Sequence, residues 1–272
     1  MLRPDDPALA TWIAEHQWYL MVAMFTVMGA WETVAPLREL RLPTARRWIG
    51  HLILYLASTA LAIALFRTGA VALAVAVNGN GPLGNPGIPF AIRCLAWILW
   101  NDLIGYGTHR LLHSVSLLWP VHRVHHSDRD MDFTSQFRFH PLETVLTRAL
   151  EAGAILLLGP PPFAVALWGT SIIVSGPLSH SNVQPPARWD SWARSLFVTP
   201  GTHRRHHSLD PADQHSNFGI LLTIWDRLFR TYREPSDGAL VASGVDEISP
   251  PESLRVLHLL AGPFRSSRSG SR

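Results

Sequence analysis

The chain has 272 residues, of which 47% are hydrophobic and 16% charged, against roughly a quarter charged in an average soluble domain. A single cysteine, Cys94, excludes a disulfide framework, cysteine-based zinc sites and a four-thiolate iron–sulfur cluster. The net charge of +3 rests on 23 arginines and no lysine; that bias points to a GC-rich genome rather than to nucleic acid, and no nucleic-acid partner is expected.

In chain order, the acidic start M-L-R-P-D-D-P lacks the pattern of a secretory signal. Residues 18–31 carry no charge and are extended by the apolar flank at 11–14. Residues 48–66 are likewise uncharged, bounded by Arg47 and Arg67, and come close to the roughly 20 apolar residues of a spanning helix. A shorter apolar piece at 70–77 leads into N-G-N-G-P-L-G-N-P-G (78–87), whose Gly, Asn and Pro content predicts a loop. Residues 88–108 form a third apolar run, interrupted by Arg93 and Asp102. Residues 152–187 are uncharged, and G-P-P-P at 159–162 splits them into a hairpin that enters and returns. Arginine is dense at 37–47, 109–148 and 188–233 but sits only at the edges of 67–93, which places the first three segments on the cytoplasmic side.

The predicted fold is all-α: an integral membrane helical bundle with a cytoplasmic, histidine-rich helical cap. Residues 1–235 read as one membrane-embedded domain with a histidine-rich core at 90–235. Residues 236–272 read as a polar C-terminal tail, disordered at its S-S-R-S-G-S-R end. A soluble helical protein would have to bury three or four such apolar runs within 272 residues.

Histidine is the anomaly, with 11 of 14 lying between residues 109 and 215. H-R-L-L-H supplies His109 and His113; H-R-V-H-H supplies His122, His125 and His126; H-R-R-H-H supplies His203, His206 and His207. Residues three or four apart share a helix face, so each group can direct two or three imidazoles at one point. Together with His180 they offer nine nitrogens, whereas one four-coordinate zinc needs four; the number suits two metals. Imidazole binds iron, zinc, copper and nickel, so ligand type leaves the metal open. His140 and His215 read as groups supporting the ligands or as extra ligands. Asp102, Asp128, Glu143, Asp210 and Asp226 are possible partners for outer imidazole N–H groups. His16, His51 and His258 fall outside the pattern and read as interface, lipid-facing or surface residues.

The ordered set H-R-L-L-H (109–113), H-R-V-H-H (122–126), H-P-L-E (140–143), H-S-N (180–182), H-R-R-H-H (203–207), N-F-G (217–219) and W-D-R-L-F (225–229) resembles the fatty acid hydroxylase/sterol desaturase superfamily over residues 90–235. The resemblance implies a multi-pass membrane enzyme, here of the bacterial inner membrane, with its active site on the cytoplasmic side. It implies a di-iron centre, with zinc able to substitute, that uses O2 and two electrons to hydroxylate or desaturate a lipid C–H bond. His109, His113, His122, His125, His126, His203, His206 and His207 match the family's three histidine boxes, and His180 an additional histidine. No catalytic residue beyond the metal ligands is implied. Some members carry a further histidine four residues from that last one; Gly176 and Gln184 stand there in this chain, which leaves His140 or water as a replacement. Arg230 stands where many relatives have Gly.

Protein side chains cannot supply the oxidant that an unactivated C–H bond requires. Because no Rossmann fingerprint, cluster motif or haem domain is visible, the electrons are expected from a ferredoxin or cytochrome-type donor with its reductase. Arg204 and Arg205 could dock such a carrier or meet lipid headgroups. Trp168, Phe137, Phe139, Trp119 and Leu118 are expected liners of a lipid channel. The competing readings are a zinc-dependent membrane hydrolase and a non-catalytic histidine-rich metal-binding or transport protein. Ligands lying beyond the apolar runs argue against transport.

Overall fold

The computed structural model describes residues 5–235 and 241–264. Their regular secondary structure is helical, with two isolated β-bridges and no strand among the described residues. The long helices are α1 (Pro7–Val34), α2 (Thr44–Phe66), the short α3 (Ala70–Val77), α4 (Phe90–Ser114), α5 (Trp119–His126), α6 (Pro141–Leu158) and α7 (Pro162–His180). Short helices follow: α8 (Ala187–Ala193), α9 (Pro200–His206), α10 (Pro211–Gln214), α11 (Ile224–Leu228), α12 (Pro250–Ser253) and α13 (Val256–Ala261).

The boundaries follow local chemistry. Asp6 caps α1 by accepting from the Ala8 amide at 2.8 Å, with Pro7 opening the first turn. Arg67 ends α2 in left-handed backbone at φ 57°. Gly159, also left-handed at φ 57°, ends α6, and Pro162 begins α7. That turn is packed against the 78–87 loop so closely that a Cβ on Gly159 would lie 2.7 Å from the Asn80 carbonyl carbon. The expected loop and hairpin are thus one contact, at the end of the bundle away from the histidines.

α1 packs on α7, α2 on α6, and α3 and α4 on α7. Trp97, Ala74, Ile155, Val165 and Trp168 form the apolar core between them. Apolar side chains also cover the outside: Val22 and Val27 of α1, Leu52, Leu56 and Ile63 of α2, Leu95 of α4 and Leu157 of α6 are exposed. Among the described residues, two stretches are long and apolar enough to cross a membrane by length and composition, Thr44–Val77 and Pro162–His180. α4, expected as a third, has the length but carries Arg93, Asp102 and two histidines.

Polar residues tie the histidine-bearing end together. Arg47 of α2 reaches Asp128 with Nε at 3.0 Å and Nη2 at 2.9 Å, and Asp132 with Nη1 at 2.9 Å. His51, one turn on, lies 2.8 Å from Thr134 Oγ1 and 3.3 Å from Asp128. It is therefore buried in this network, not a surface or lipid-facing residue as its isolation in sequence suggested. Glu32 of α1 accepts from the amides of Phe133 and Asn182.

The segment read as a polar tail instead folds back. Val245, Ile248 and Leu259 bury themselves against Leu54 and Val124. Arg129 donates to the carbonyls of Val245 and Ile248, and Arg138 to that of Ser253 at 2.7 Å. Apolar residues spaced through a mostly polar stretch formed a satellite core that composition had hidden. The S-S-R-S-G-S-R end, expected to be disordered, lies outside the described residues.

Candidate metal centre

His109 and His113 occupy the last turns of α4, one turn apart. Pro120 starts α5, which carries His122, His125 and His126. His180 ends α7. The Thr199 amide donates to Thr202 Oγ1 at 2.9 Å where α9 begins, with Pro200 at its first position; His203 and His206 lie on this helix and His207 closes it. All nine rings are buried and fall into two groups: His109, His113, His122, His126 and His206 in one, His125, His180, His203 and His207 in the other. Within each group the ligating nitrogens lie within 4.8 Å of one another.

The H-x-x-H-H triplets do not each converge on one point, as spacing suggested. Their i, i+4 members, His122 with His126 and His203 with His207, share a group, while His125 and His206 turn into the opposite one. Neighbouring residues on a helix point about 100° apart, so one short helix can feed two adjacent centres. The groups touch where the His126 and His207 rings stack, 4.2 Å between centroids.

The outer ring nitrogens decide what the inner ones can do. His109 Nδ1 donates to the Phe218 carbonyl at 2.9 Å and His206 Nδ1 to the Ser216 carbonyl at 2.7 Å. A carbonyl only accepts, so both neutral rings carry their proton on Nδ1 and present a bare Nε2. Those two Nε2 atoms face each other at 2.9 Å. Two lone pairs at that distance repel unless a cation lies between them. His122 Nδ1 is held by Glu143 at 2.8 Å, and its buried Nε2 has no hydrogen-bond partner among the described residues. His180 Nδ1 donates to the Gly176 carbonyl at 2.8 Å, aiming Nε2 at His125 (3.2 Å) and His203 (3.0 Å). Around a centre about 2.1 Å from each nitrogen, such separations subtend about 90–100°. The donor set fits metal in both groups.

Burial holds the His206 imidazole down to about 3, against the Ser216 carbonyl, which favours the charged form. Burial and then the adjacent rings keep His126 and His207 well below the usual histidine range. These rings are neutral at neutral pH, the form that binds a metal.

The N-F-G and W-D motifs build the shelf of carbonyls. Asn217 takes left-handed backbone at φ 54° and is pinned through Arg233 and Thr202. Asp226 accepts from the Phe218 and Gly219 amides, both at 2.8 Å. A Cβ on Gly219 would meet the Leu222 carbonyl at 2.6 Å, so only glycine fits. Asp102 accepts from the Leu221 and Leu222 amides and from Trp225 Nε1. Asp102 and Asp226 therefore act on the ligands through the loop, not by contacting imidazoles. Of the five carboxylates considered, only Glu143 contacts one of the nine clustered rings; Asp128 pairs with Arg47 and His51, and Asp210 caps α10.

The remaining candidates separate. His140 has both ring nitrogens engaged, Nδ1 accepting from the Leu142 amide at 3.1 Å and Nε2 donating to the Leu260 carbonyl at 3.2 Å. It caps α6 and so places Glu143, three residues on, against His122. His215 is exposed, its ring 5.8 Å from that of His113. A Cβ on Gly176, whose carbonyl holds His180, would collide with the Gln136 side chain. Arg204 is buried and donates to the carbonyls of Ser181 and Val183, and Arg205 pairs with Asp213; neither forms the docking face that their position in sequence suggested. Phe139 stacks on His125 at 4.5 Å and Trp119 lies 5.0 Å from His113, whereas Trp168 packs in the apolar core and Phe137 against Phe25 and Tyr55.

The family model for fatty acid hydroxylase matches residues 94–231, just over half of the chain. Ornithine lipid hydroxylase OlsE of Rhizobium tropici is 34% identical over 54% of this chain and 44% of its own length. Alkylglycerol monooxygenase of Danio rerio is 28% identical over 52% of this chain and 32% of its own. Methylsterol monooxygenase 1 of Rattus norvegicus is 28% identical over 51% and 46%. The chain thus spans less than half the length of these relatives. No solved structure matches it. The matched segment begins on α4, ends after α11 and contains all nine clustered histidines, and the chain belongs to the fatty acid hydroxylase family.

Proposed function

We propose that the protein is a membrane-bound lipid hydroxylase with two iron ions. The five rings around His109 and His206 hold one, and the four around His180 and His203 the other. The observation that carries this reading is the pair of bare Nε2 atoms of His109 and His206 facing each other in a buried, all-imidazole pocket. Bound there, iron supplies the reduction of O2 that side chains cannot perform. The balance is one lipid C–H bond, one O2, two electrons and two protons giving one C–OH group and one water. Hydroxylation is favoured over desaturation by the relatives, which are named hydroxylases and monooxygenases.

This chain's residues bind, orient and shield. Glu143 and the carbonyls of Ser216, Phe218 and Gly176 fix ring orientation. Phe139 and Trp119 flank the rings, and a lipid chain approaches between the apolar helices. The exposed apolar flanks of α1, α2, α4 and α6 suit a bilayer, and the arginine distribution supports a cytoplasmic position for the metal end. Electrons come from an external ferredoxin or cytochrome-type donor.

The test is iron-loaded protein in nanodiscs supplied with reductant, membrane lipid extract and 18O2. The expected product is a lipid heavier by one 18O atom, lost in His206→Ala. Water-derived oxygen, or turnover with zinc and no O2, would replace this reading with hydrolysis.

A further inference from the structure

We propose that α8, the turn after it and α11 form a shelf that rests in the headgroup layer of an anionic bilayer. The proposal rests on the membrane reading above and adds a second, interfacial contact to it. Trp189 and Trp192 of α8 are 59% and 70% exposed, and Leu196, Phe197, Leu228 and Phe229 beside them are exposed too. Single exposed apolar side chains are ordinary; six on two joined segments mark an interaction surface. The two pieces form one body. The Val198 amide donates to the Leu221 carbonyl at 3.0 Å, the Thr223 amide to that of Leu196 at 2.9 Å, and Arg227 to that of Arg194 at 3.1 Å.

Charge selects the occupant. The carboxylates of the two helices, Asp190 and Asp226, are both buried. Arg188, Arg227 and Arg230 are exposed, and none has an ion-pair partner among the described residues. Arg188 lies over the Trp189 ring at 5.2 Å and Arg227 over Tyr232 at 3.8 Å. Arg230 keeps its cation in left-handed backbone, φ 60°, a conformation glycine would adopt without strain. Tryptophan and arginine together suit the boundary where an apolar body meets phosphate.

Position supports the same occupant. Trp225 donates to Asp102 at 2.9 Å and Phe229 stacks on Tyr106 at 5.4 Å, which seats the shelf against α4. Leu95, two turns before Asp102 on the same face of α4, is exposed, so the shelf continues a flank that already faces outward. An acidic protein could meet the arginines, but it would leave the apolar continuity with α4 unexplained.

Since Cys94 is buried, a cysteine placed at the surface can be labelled selectively, with the parent chain as blank. Trp192→Cys and, separately, Ile63→Cys on the exposed face of α2 are labelled with an environment-sensitive fluorophore. Each is studied in nanodiscs of phosphatidylcholine with or without phosphatidylglycerol, using spin labels placed shallow or deep in the acyl chains. Blue-shifted emission at 192 is expected, quenched more by the shallow label than the deep one and strengthened by phosphatidylglycerol. Combined Arg188→Gln, Arg227→Gln and Arg230→Gln should remove that strengthening. Water-like, unquenched emission at 192 with quenching at 63 would overturn the shelf and leave the membrane reading standing. Absence of quenching at both would overturn both. Shielding of 192 only by an acidic protein would replace the lipid surface with a protein partner.

Discussion

Glu143 offers the sharpest perturbation of the centre that leaves every ligand in place. Its Oε1 accepts from His122 Nδ1 at 2.8 Å, and the carboxylate is 5% exposed. Its placement is local: His140 caps α6, Pro141 occupies the first turn and Glu143 the third position, where the helix dipole favours an anion. Glu143→Gln keeps size and shape but removes the charge that makes His122 a stronger donor. Loss of such a supporting carboxylate costs typically 10–100-fold in metal affinity, or about 1.4–2.7 kcal/mol. The effect should fall on the five-ring group alone, because Glu143 contacts no ring of the other. Chelator competition followed by metal analysis should therefore show one of two metals released at lower chelator concentration, the second unmoved. Two unshifted release steps, or an equal shift of both, would refute the assignment of Glu143 to one centre.

Three further outcomes follow from the same contacts. His140→Ala should lower stability by about 1 kcal/mol through loss of the helix cap and, by loosening Glu143, weaken the metal of the five-ring group no more than Glu143→Gln does; a greater loss than in Glu143→Gln would make His140 a ligand after all. Arg47→Met strands Asp128 and Asp132 without their cation, which should cost about 3–5 kcal/mol in detergent unfolding, and an unchanged midpoint would count against the network. The metal-free protein should weaken on acidification: His206 takes a proton near 6.5 when unfolded but only near 3 when folded. Stability is then full above the unfolded value and declines as pH falls from about 6.5 toward 3, a trend absent if the rings are already charged in the fold.

Much of the site was legible because histidine spacing is a local property of helices. The hairpin at 159–162 and the loop at 78–87 were legible for a similar reason, since Gly and Pro act on their own backbone. What was hidden depends on tertiary contact. Which member of H-x-x-H-H serves which group is set by how α5 and α9 lie against α4 and α7. The carbonyls of Phe218, Ser216 and Gly176 carry no letter in a sequence, although the N-F-G turn that presents the first was visible as a motif. Arg204 read as part of a docking face and Arg47 and Arg138 only as charge within basic segments, yet all three are buried. An arginine donates five hydrogen bonds and can stitch distant segments when carbonyls and carboxylates surround it; only the fold supplies those acceptors. His51 was passed over because its partners, Asp128 and Thr134, lie far along the chain.

The central claim is that two buried sets of imidazoles each hold a metal. Metal analysis of the purified chain and of two variants tests it most directly. The account predicts two irons per chain in the parent protein, and about one in each of His206→Ala and His203→Ala, with Mössbauer spectra showing a different site retained in each. A single metal in the parent, or full loading in both variants, would contradict it.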